Sequence, residues 1–205
     1  MECSAINTVA SVFVAIGTLA VAVLAIWGDP IKEYFLGPRL RLNLVDPKGD
    51  LTIRADGKKV YYYHVRVRNQ RGRNVAKAVR VVLQGISKKA ASGEFVRQPL
   101  VYRLPMVWAP MESGNTERTV VDESTCDFGS LAQTDIAFRP SIMRTPNNFR
   151  GQVEKDFCVR FELVAVGQNV FSPMPTVFEV SWDGHWTENQ EEMQRHLVVR
   201  EVSGL

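Results

Sequence analysis

Three histidines, His64, His185 and His196, are the side chains of this sequence best suited to metal binding or acid–base chemistry near neutral pH. A metal site would need them to converge with a carboxylate such as Asp183 or Glu191. The spacings HxH and HExxH, which bring two imidazoles to one side of a strand or a helix, do not occur. The sequence therefore predicts no metal ligands and no cofactor.

The three cysteines, Cys3, Cys126 and Cys158, are too few for a disulfide framework. Cys126 and Cys158 could pair in an oxidising compartment, but two reduced, partly buried thiols are the favoured interpretation. Neither lies in a local catalytic signature, and the glycine-rich phosphate loops and the GxSxG motif do not occur. Glu191 and Glu192 are adjacent on a predicted helix, so their carboxylates diverge. These observations predict no catalytic residues and a protein that is not an enzyme.

Basic residues are frequent in and after a strand-like segment at residues 60–70. Arg66 and Arg68 share one face of this strand with Tyr62 and His64. Aromatic rings among cations can stack nucleic-acid bases, and the same cations can bind anionic lipid head groups or an acidic protein surface. An ordinary solvated sheet carries the same residue types, so all three interpretations remain open. The candidate basic surface consists of Arg66, Arg68, Arg71, Arg73, Lys77 and Arg80.

Charge is unevenly distributed along the chain, although the net charge is only +3. Residues 28–103 contain 17 Lys and Arg against 6 Asp and Glu, whereas residues 104–205 contain 8 against 15. A basic half beside an apolar segment favours an anionic partner, with membrane lipid ahead of nucleic acid.

The sequence after residue 38 alternates between apolar and polar residues with the period of a β-strand. Many short strands separated by turn residues predict an antiparallel β-sandwich over residues 39–205. Near the end, Thr187 is predicted to cap a short helix, with Gln190 as its reciprocal partner. The clearest apolar faces are Leu40, Leu42 and Leu44, and Tyr61, Tyr63, Val65 and Val67.

The segment YYYHVRVRNQRGRNVAKAVRVVLQGI, from Tyr61 to Ile86, resembles the strand–loop–strand unit of bacterial immunoglobulin-like adhesion-type modules. Those modules pair alternating valine and aromatic strands around an Asn-x-x-Gly loop, which an Ala-x-x-Val-x-Val strand follows. One N-terminal helix followed directly by such a sandwich is similar to the layout of uncharacterised bacterial single-pass membrane proteins. The resemblance implies an immunoglobulin-like β-sandwich and no particular activity.

The N-terminal segment contains no charged residue from Ala5 to Trp27. As a helix it would be about 35 Å long, which suffices for a hydrocarbon core of about 30 Å. A cleaved signal requires basic residues before the apolar run, and the leading MECS has none. A soluble core helix is rarely apolar around its whole circumference. The predicted organisation is a tail at 1–4, a transmembrane helix at 5–27 ending near Pro30, a juxtamembrane segment at 28–38 and the sandwich at 39–205.

The charged flanks of this segment predict its orientation. Lys32, Arg39 and Arg41 follow it within about 15 residues, and such an excess of Lys and Arg marks the cytoplasmic side. We therefore expect a single-pass protein of the bacterial inner (plasma) membrane, with its N-terminus outside and its C-terminal domain in the cytoplasm. The reverse orientation stays open, because a short neutral tail constrains topology weakly.

Small residues recur along the apolar segment at alternating steps of three and four. Small side chains let helix backbones approach closely in lipid, where packing drives association. This stripe predicts a contact face for a homo-oligomer or for another membrane helix, and chance recurrence of small residues is the alternative. Its residues are Ser11, Ala15, Thr18, Ala22 and Ala25.

These patterns together favour a membrane-anchored, non-catalytic interaction module. It would bind an unknown protein partner at the cytoplasmic membrane surface, with its basic half towards anionic membrane lipid. The first alternative is a membrane-tethered nucleic-acid-binding or sensor protein, for example in phage defence. A small enzyme with a site that the sequence does not reveal is the third hypothesis.

Overall fold

The computed structural model describes residues 2–100, 102–110, 116–170 and 174–202. The chain divides into two compact units, Met1–Gly37 and Pro38–Leu205. The first unit contains one long helix, and the second contains two β-sheets and one short helix.

Helix α1 spans Glu2–Leu36. Its segment Ala10–Gly28 has a mean hydropathy of 2.4, and none of it is buried within the chain. This segment is therefore long and apolar enough to cross a membrane. The predicted end near Pro30 is wrong, since the helix continues through that residue. A proline removes only one backbone donor and displaces one carbonyl group, and a long helix can absorb that local loss without ending.

Strands make up most of the second unit, and valine and aromatic residues are frequent in them because such side chains suit a pleated, half-buried surface. A second helix, α2 (Gln190–His196), lies between the last two strands. The strands are β1 (Leu40–Leu44), β2 (Asp50–Ile53), β3 (Lys59–Asn69), β4 (Ala76–Lys89), β5 (Phe95–Gln98), β6 (Leu104–Pro105), β7 (Val107–Trp108), β8 (Arg118–Val120), β9 (Glu123–Ala132), β10 (Ala137–Pro140), β11 (Val153–Glu154), β12 (Phe157–Val166), β13 (Thr176–Trp182) and β14 (Leu197–Val202).

Two antiparallel sheets contain these strands. The first has the order β1, β3, β9, β10, β11, with β2 also paired to β3 and β7 to β9. The second has the order β14, β13, β12, β4, β5, with β6 and β8 also paired to β4. The prediction of a mainly β, antiparallel fold with one N-terminal and one short C-terminal helix is confirmed.

The hydrophobic core is formed jointly by the two sheets. Phe128 of the first sheet contacts Phe161 and Phe178 of the second, with ring centroids 5.6 and 5.3 Å apart. All members of the core cluster lie between Leu40 and Val199, so the second unit has a core of its own. The apolar face predicted for β3 is confirmed, because its side chains are fully buried: Tyr61, Tyr63, Val65 and Val67.

Helix α2 begins later than predicted, because its N-cap is Asn189 and not Thr187. The side-chain oxygen of Asn189 accepts hydrogen bonds from the backbone N–H groups of Glu191 and Glu192, at 3.0 and 3.2 Å. Asparagine and threonine are both good caps, so the position relative to the first helical turn decides between them. The Thr187 hydroxyl donates instead to the Glu192 carboxylate at 3.2 Å.

Candidate functional site

The predicted basic surface is divided between the two sheets. Two of its residues lie on β3 in the first sheet, and two lie on β4 in the second sheet. The other two lie in the loop that joins these strands. The three pairs are Arg66 and Arg68, Lys77 and Arg80, and Arg71 and Arg73.

Carboxylates of neighbouring strands neutralise part of this set. Glu123 on β9 accepts a hydrogen bond of 3.2 Å from Arg68, and its other carboxylate oxygen lies 3.8 Å from Nε of Arg66. Glu117 accepts from Nε of Arg80 at 2.9 Å. Both glutamates belong to the acidic second half of the sequence. Arg66, Arg68 and Arg80 therefore face fixed negative charge.

This pairing of basic first-half residues with acidic second-half residues recurs across the fold. Strand pairing accounts for the pairs of Arg66 and Arg68, because β3 pairs with β9, which carries Glu123. Part of the charge asymmetry of the sequence is thus converted into ion pairs, each worth about 0–1 kcal/mol at the surface. Further examples are Lys48 with Glu191, Lys59 with Glu188, and Arg97 with Glu162.

One buried side chain, Asn69, organises the end of the second unit at which the chain enters. Its amide oxygen accepts from the backbone N–H of Arg39 at 3.2 Å. Its amide nitrogen donates to the carbonyl oxygens of Asn74 and Val121 at 2.8 and 3.2 Å. Because a buried amide with satisfied hydrogen bonds has one preferred position, Asn69 fixes three chain segments against one another. We call this surface, formed by residues 38–41, 69–77 and 120–123, the entry end.

Cations and exposed apolar side chains lie together at the entry end. Val75 and Val121 are 37% and 59% exposed. Their backbones are neighbours, because the adjacent residues Ala76 and Val120 are paired. Cations beside exposed apolar groups are typical of surfaces that contact lipid head groups. The exposed cations here are Arg39, Arg41, Arg71 and Lys77, against the carboxylates of Asp122 and Glu123.

His64 is held between two carboxylates on the outer face of the first sheet. Its Nδ1 lies 2.9 Å from Oδ1 of Asp127, and its Nε2 lies 3.4 Å from Oδ2 of Asp50. The hydrogen bond to Asp127 raises the pKa of His64 above its ordinary value, and burial opposes this only in part. The two carboxylates also place negative charge on the strand face where nucleic-acid bases would have to stack.

The other two histidines converge on Asp183, at the ends of β13 and β14 that are remote from the entry end. Nδ1 of His196 lies 2.7 Å from Oδ2 of Asp183, and Nδ1 of His185 lies 3.4 Å from Oδ1. Burial raises the pKa of Asp183, but hydrogen bonds from His196 and His185 outweigh it, so the pKa lies below its ordinary value.

The structure thus brings together three of the five candidate metal ligands and leaves out His64 and Glu191. The pairing of β13 with β14, the strands that flank Asp183 and His196, brings these two residues together. Trp182 pairs with Leu197, which brings positions 183 and 196 side by side. Motif spacing could not reveal this, because the residues are 13 apart in the chain.

Cys126 and Cys158 are free thiols, as favoured from the sequence. Burial raises the pKa of both thiols, and for Cys126 the neighbouring Asp127 carboxylate adds to the effect. Both are therefore protonated at neutral pH and are weak nucleophiles. The Cys126 thiol also donates to the carbonyl oxygen of Val107 at 3.2 Å.

The predicted contact face of the apolar helix lies on α1, where all its residues are exposed within the chain. The hydroxyl of Thr18 donates to the carbonyl oxygen of Val14 at 2.8 Å. This polar group is therefore satisfied inside the helix and does not require a partner in lipid. The face consists of Ser11, Ala15, Thr18, Ala22 and Ala25.

Comparison with known proteins identifies no family for this chain. No protein-family model, curated protein or solved structure matches this chain. Its function therefore has to be inferred from the entry end, the apolar helix and the histidine sites themselves.

Proposed function

We propose that this chain is a single-pass membrane protein whose cytoplasmic β-domain, an immunoglobulin-like sandwich, is a non-catalytic interaction module. The domain docks a protein partner at the surface of the bacterial inner membrane. Its entry end rests on anionic lipid and orients the rest of the domain towards the cytoplasm.

The composition of the entry end carries this proposal. It is the end of the domain that is covalently joined to α1, and it combines exposed cations with Val75 and Val121. A cation near an anionic leaflet contributes about 1 kcal/mol, and the attraction acts within a Debye length of about 8–10 Å. Exposed valines add a smaller contribution to the binding free energy at the head-group boundary, and this contribution does not depend on salt.

The cytoplasmic orientation rests on the cations that follow the apolar segment. Lys32 lies within α1, and Arg39 and Arg41 lie at the start of the domain. The positive-inside rule favours the side that bears them. Protease treatment of spheroplasts tests this directly: the domain should be protected until the membrane is permeabilised, and digestion in intact spheroplasts would contradict the orientation.

A lipid-binding measurement tests the role of the entry end. The fragment 38–205 contains the whole core, so it can be studied without α1. Arg71→Ala combined with Lys77→Ala should weaken its binding to anionic vesicles by about 30-fold, because two contributions of about 1 kcal/mol are lost. The matched control, Arg54→Ala with Lys58→Ala, removes the same charge from the β2–β3 turn and should leave binding unchanged. Equal loss in both variants would contradict a specific lipid-facing end.

Nucleic-acid binding remains the alternative outcome of the same experiment. The carboxylates that face Arg66, Arg68 and His64 argue against it. Salt-sensitive retention of RNA or DNA by the fragment, lost in the Arg66→Ala/Arg68→Ala variant, would overturn the lipid proposal in favour of that alternative.

The stripe on α1 is the proposed contact face for self-association. Disulfide cross-linking of Ala15→Cys and Ala22→Cys in membranes, with none for Ile16→Cys, is the expected result. Cross-linking at Ile16→Cys alone would place the contact on the other side of the helix. A tagged pull-down from solubilised membranes would then identify the protein partner.

A further inference from the structure

We propose that Asp183, His185 and His196 form a binding site for one divalent transition-metal ion of the zinc class. One ligand atom from each residue lies within 4.8 Å of the other two. In a tetrahedral zinc site with metal–ligand bonds of about 2.1 Å, neighbouring ligand atoms are about 3.4 Å apart. The two Nδ1–carboxylate distances are 3.4 Å for His185, which equals this value, and 2.7 Å for His196, which is shorter. Small side-chain rotations would therefore suffice to surround an ion.

The backbone holds the three residues in this arrangement. Asp183 donates its N–H to the carbonyl oxygen of His196 at 3.2 Å, which extends the pairing of β13 with β14 by one step. The chain then turns at Gly184, whose φ of +91° is in the left-handed region that favours glycine. The N–H of His185 donates to Oδ1 of Asp183 at 2.9 Å, and the indole N–H of Trp182 donates to the carbonyl oxygen of His185 at 2.9 Å.

The His185 imidazole has a long contact with Asp183, with its Nδ1 3.4 Å from Oδ1. Oδ2 of Asp183 is bonded by the His196 ring, and Oδ1 accepts the backbone N–H of His185. The His185 side chain is 73% exposed and could extend into water, yet its ring centroid lies 5.1 Å from that of His196. Two imidazoles beside one carboxylate offer two nitrogen lone pairs and one anionic oxygen when the histidines are neutral. That is a ligand set for a cation.

The type of ligand selects the class of ion. Imidazole nitrogen suits Zn²⁺, Ni²⁺, Cu²⁺ and Co²⁺, whereas Mg²⁺ and Ca²⁺ prefer oxygen ligands alone. The exposure of His185 leaves one side of the cluster open to solvent. A zinc ion held by three protein ligands keeps a fourth coordination position open, which water would fill.

Metal titration of the full-length protein in detergent, without a histidine tag, tests this proposal. Isothermal titration calorimetry with Zn²⁺ should show one equivalent bound, and Mg²⁺ should not compete. His185→Ala should weaken Zn²⁺ binding at least tenfold, and because that side chain is largely exposed the fold should be retained, as circular dichroism would show. His196→Ala should weaken binding as strongly.

Two matched variants separate this cluster from other potential ligands. His64→Gln removes the remaining histidine, and Cys158→Ser removes the partly exposed thiol that the structure describes. Zn²⁺ affinity within twofold of the parent protein is expected for both. The proposal is overturned if the parent protein binds no Zn²⁺ below millimolar concentration, or if His185→Ala binds as tightly as the parent, or if either control variant loses the site.

Discussion

The two histidine–aspartate sites of this protein contain the same types of side chain but arrange them differently in space. His64 directs Nδ1 to Asp127 and Nε2 to Asp50, so its carboxylates lie on different sides of one ring. At the other site, the Nδ1 atoms of His185 and His196 face one carboxylate, that of Asp183. The contacts of His64 diverge from one ring and form an ion-pair network. The contacts at Asp183 converge on one carboxylate and place ligand atoms around one point in space.

The difference arises from where the residues lie in the strands. His64 and Asp127 are opposite each other in the middle of β3 and β9, next to a shift of register between Tyr63 and His64. Asp183 and His185 lie in a turn beyond β13, and His196 ends α2. The turn and the helix end direct these three side chains to one point.

Zinc should therefore stabilise the protein through one histidine site only. At a free Zn²⁺ concentration of 100 times Kd, linkage predicts a stabilisation of about 2.7 kcal/mol. For a domain of this size the midpoint of thermal unfolding should rise by about 5–10 °C. Differential scanning fluorimetry should show this rise in the parent protein and in His64→Gln but not in His185→Ala. An equal rise of the unfolding midpoint in all three proteins would contradict the proposed difference between the two histidine sites.

Gly184→Ala should perturb the turn between Asp183 and His185, and so tests whether this turn holds the metal site together. A non-glycine residue at a φ of +91° costs about 1–2 kcal/mol of unfolding free energy. A Cβ at this position would also lie 2.6 Å from the Lys155 side chain. The matched control is Gly57→Ala, with a φ of +78° and no atom within 4 Å. Urea unfolding should show a similar loss for both variants, and only Gly184→Ala should weaken Zn²⁺ binding.

The site at His64 should respond to pH rather than to metal. Its pKa is raised in the folded state, so its pairing stabilises the fold fully below an unfolded pKa of about 6.5 and loses this effect as pH rises through the folded pKa. His64→Gln replaces the cationic donor by a neutral amide, so the ion pair with Asp127 is lost, at a cost of about 1 kcal/mol below pH 6.

Urea unfolding of the parent protein and of His64→Gln at pH 5.5 and pH 8.5 measures this effect. The difference between the two proteins should be larger at pH 5.5. A difference that grows with pH would show that the imidazole is stabilised in its neutral form.

The smallest change in unfolding free energy is expected for Asp50, the exposed member of the His64 network. Asp50 lies 3.4 Å from Nε2 of His64, but its side chain is 63% exposed. Asp50→Asn should change the unfolding free energy by less than about 0.5 kcal/mol, because water screens exposed pairs. Asp127→Asn, which alters the shorter and more buried contact, should cost more in the same urea experiment. Equal effects would mean that the two contacts of His64 are equivalent.

The alternation of β3 could be predicted from its residues because burial on one face of a strand imposes a period of two. Tyr61, Tyr63 and Val65 are buried as predicted. The helix cap and the end of α1 were predicted less well. Asn189 and Thr187 are chemically similar caps, and Pro30 lies within the helix, so local propensity did not specify either boundary.

The basic surface shows what a linear pattern omits. Arg66, Arg68 and Arg80 are part of a basic stretch in the sequence, but each faces a glutamate far along the chain. Only the pairing of β3 with β9 and the contact of β4 with β8 bring those glutamates near. Asn69, the asparagine of the Asn-x-x-Gly loop, fixes the backbone at Arg39, Asn74 and Val121, which only the fold brings together at the entry end.

The sequence by itself determined the properties that depend on local period and length. It determined an apolar helix long enough to span a membrane, and an antiparallel, mainly β fold, because hydrophobic periodicity depends only on neighbouring residues. Tertiary structure alone decided which charges are neutralised and which histidines converge. Those outcomes depend on strand pairing between residues as distant as Arg68 and Glu123, or on a turn that brings His185 to His196. Distances between such residues are set by topology, and no spacing along the chain encodes them.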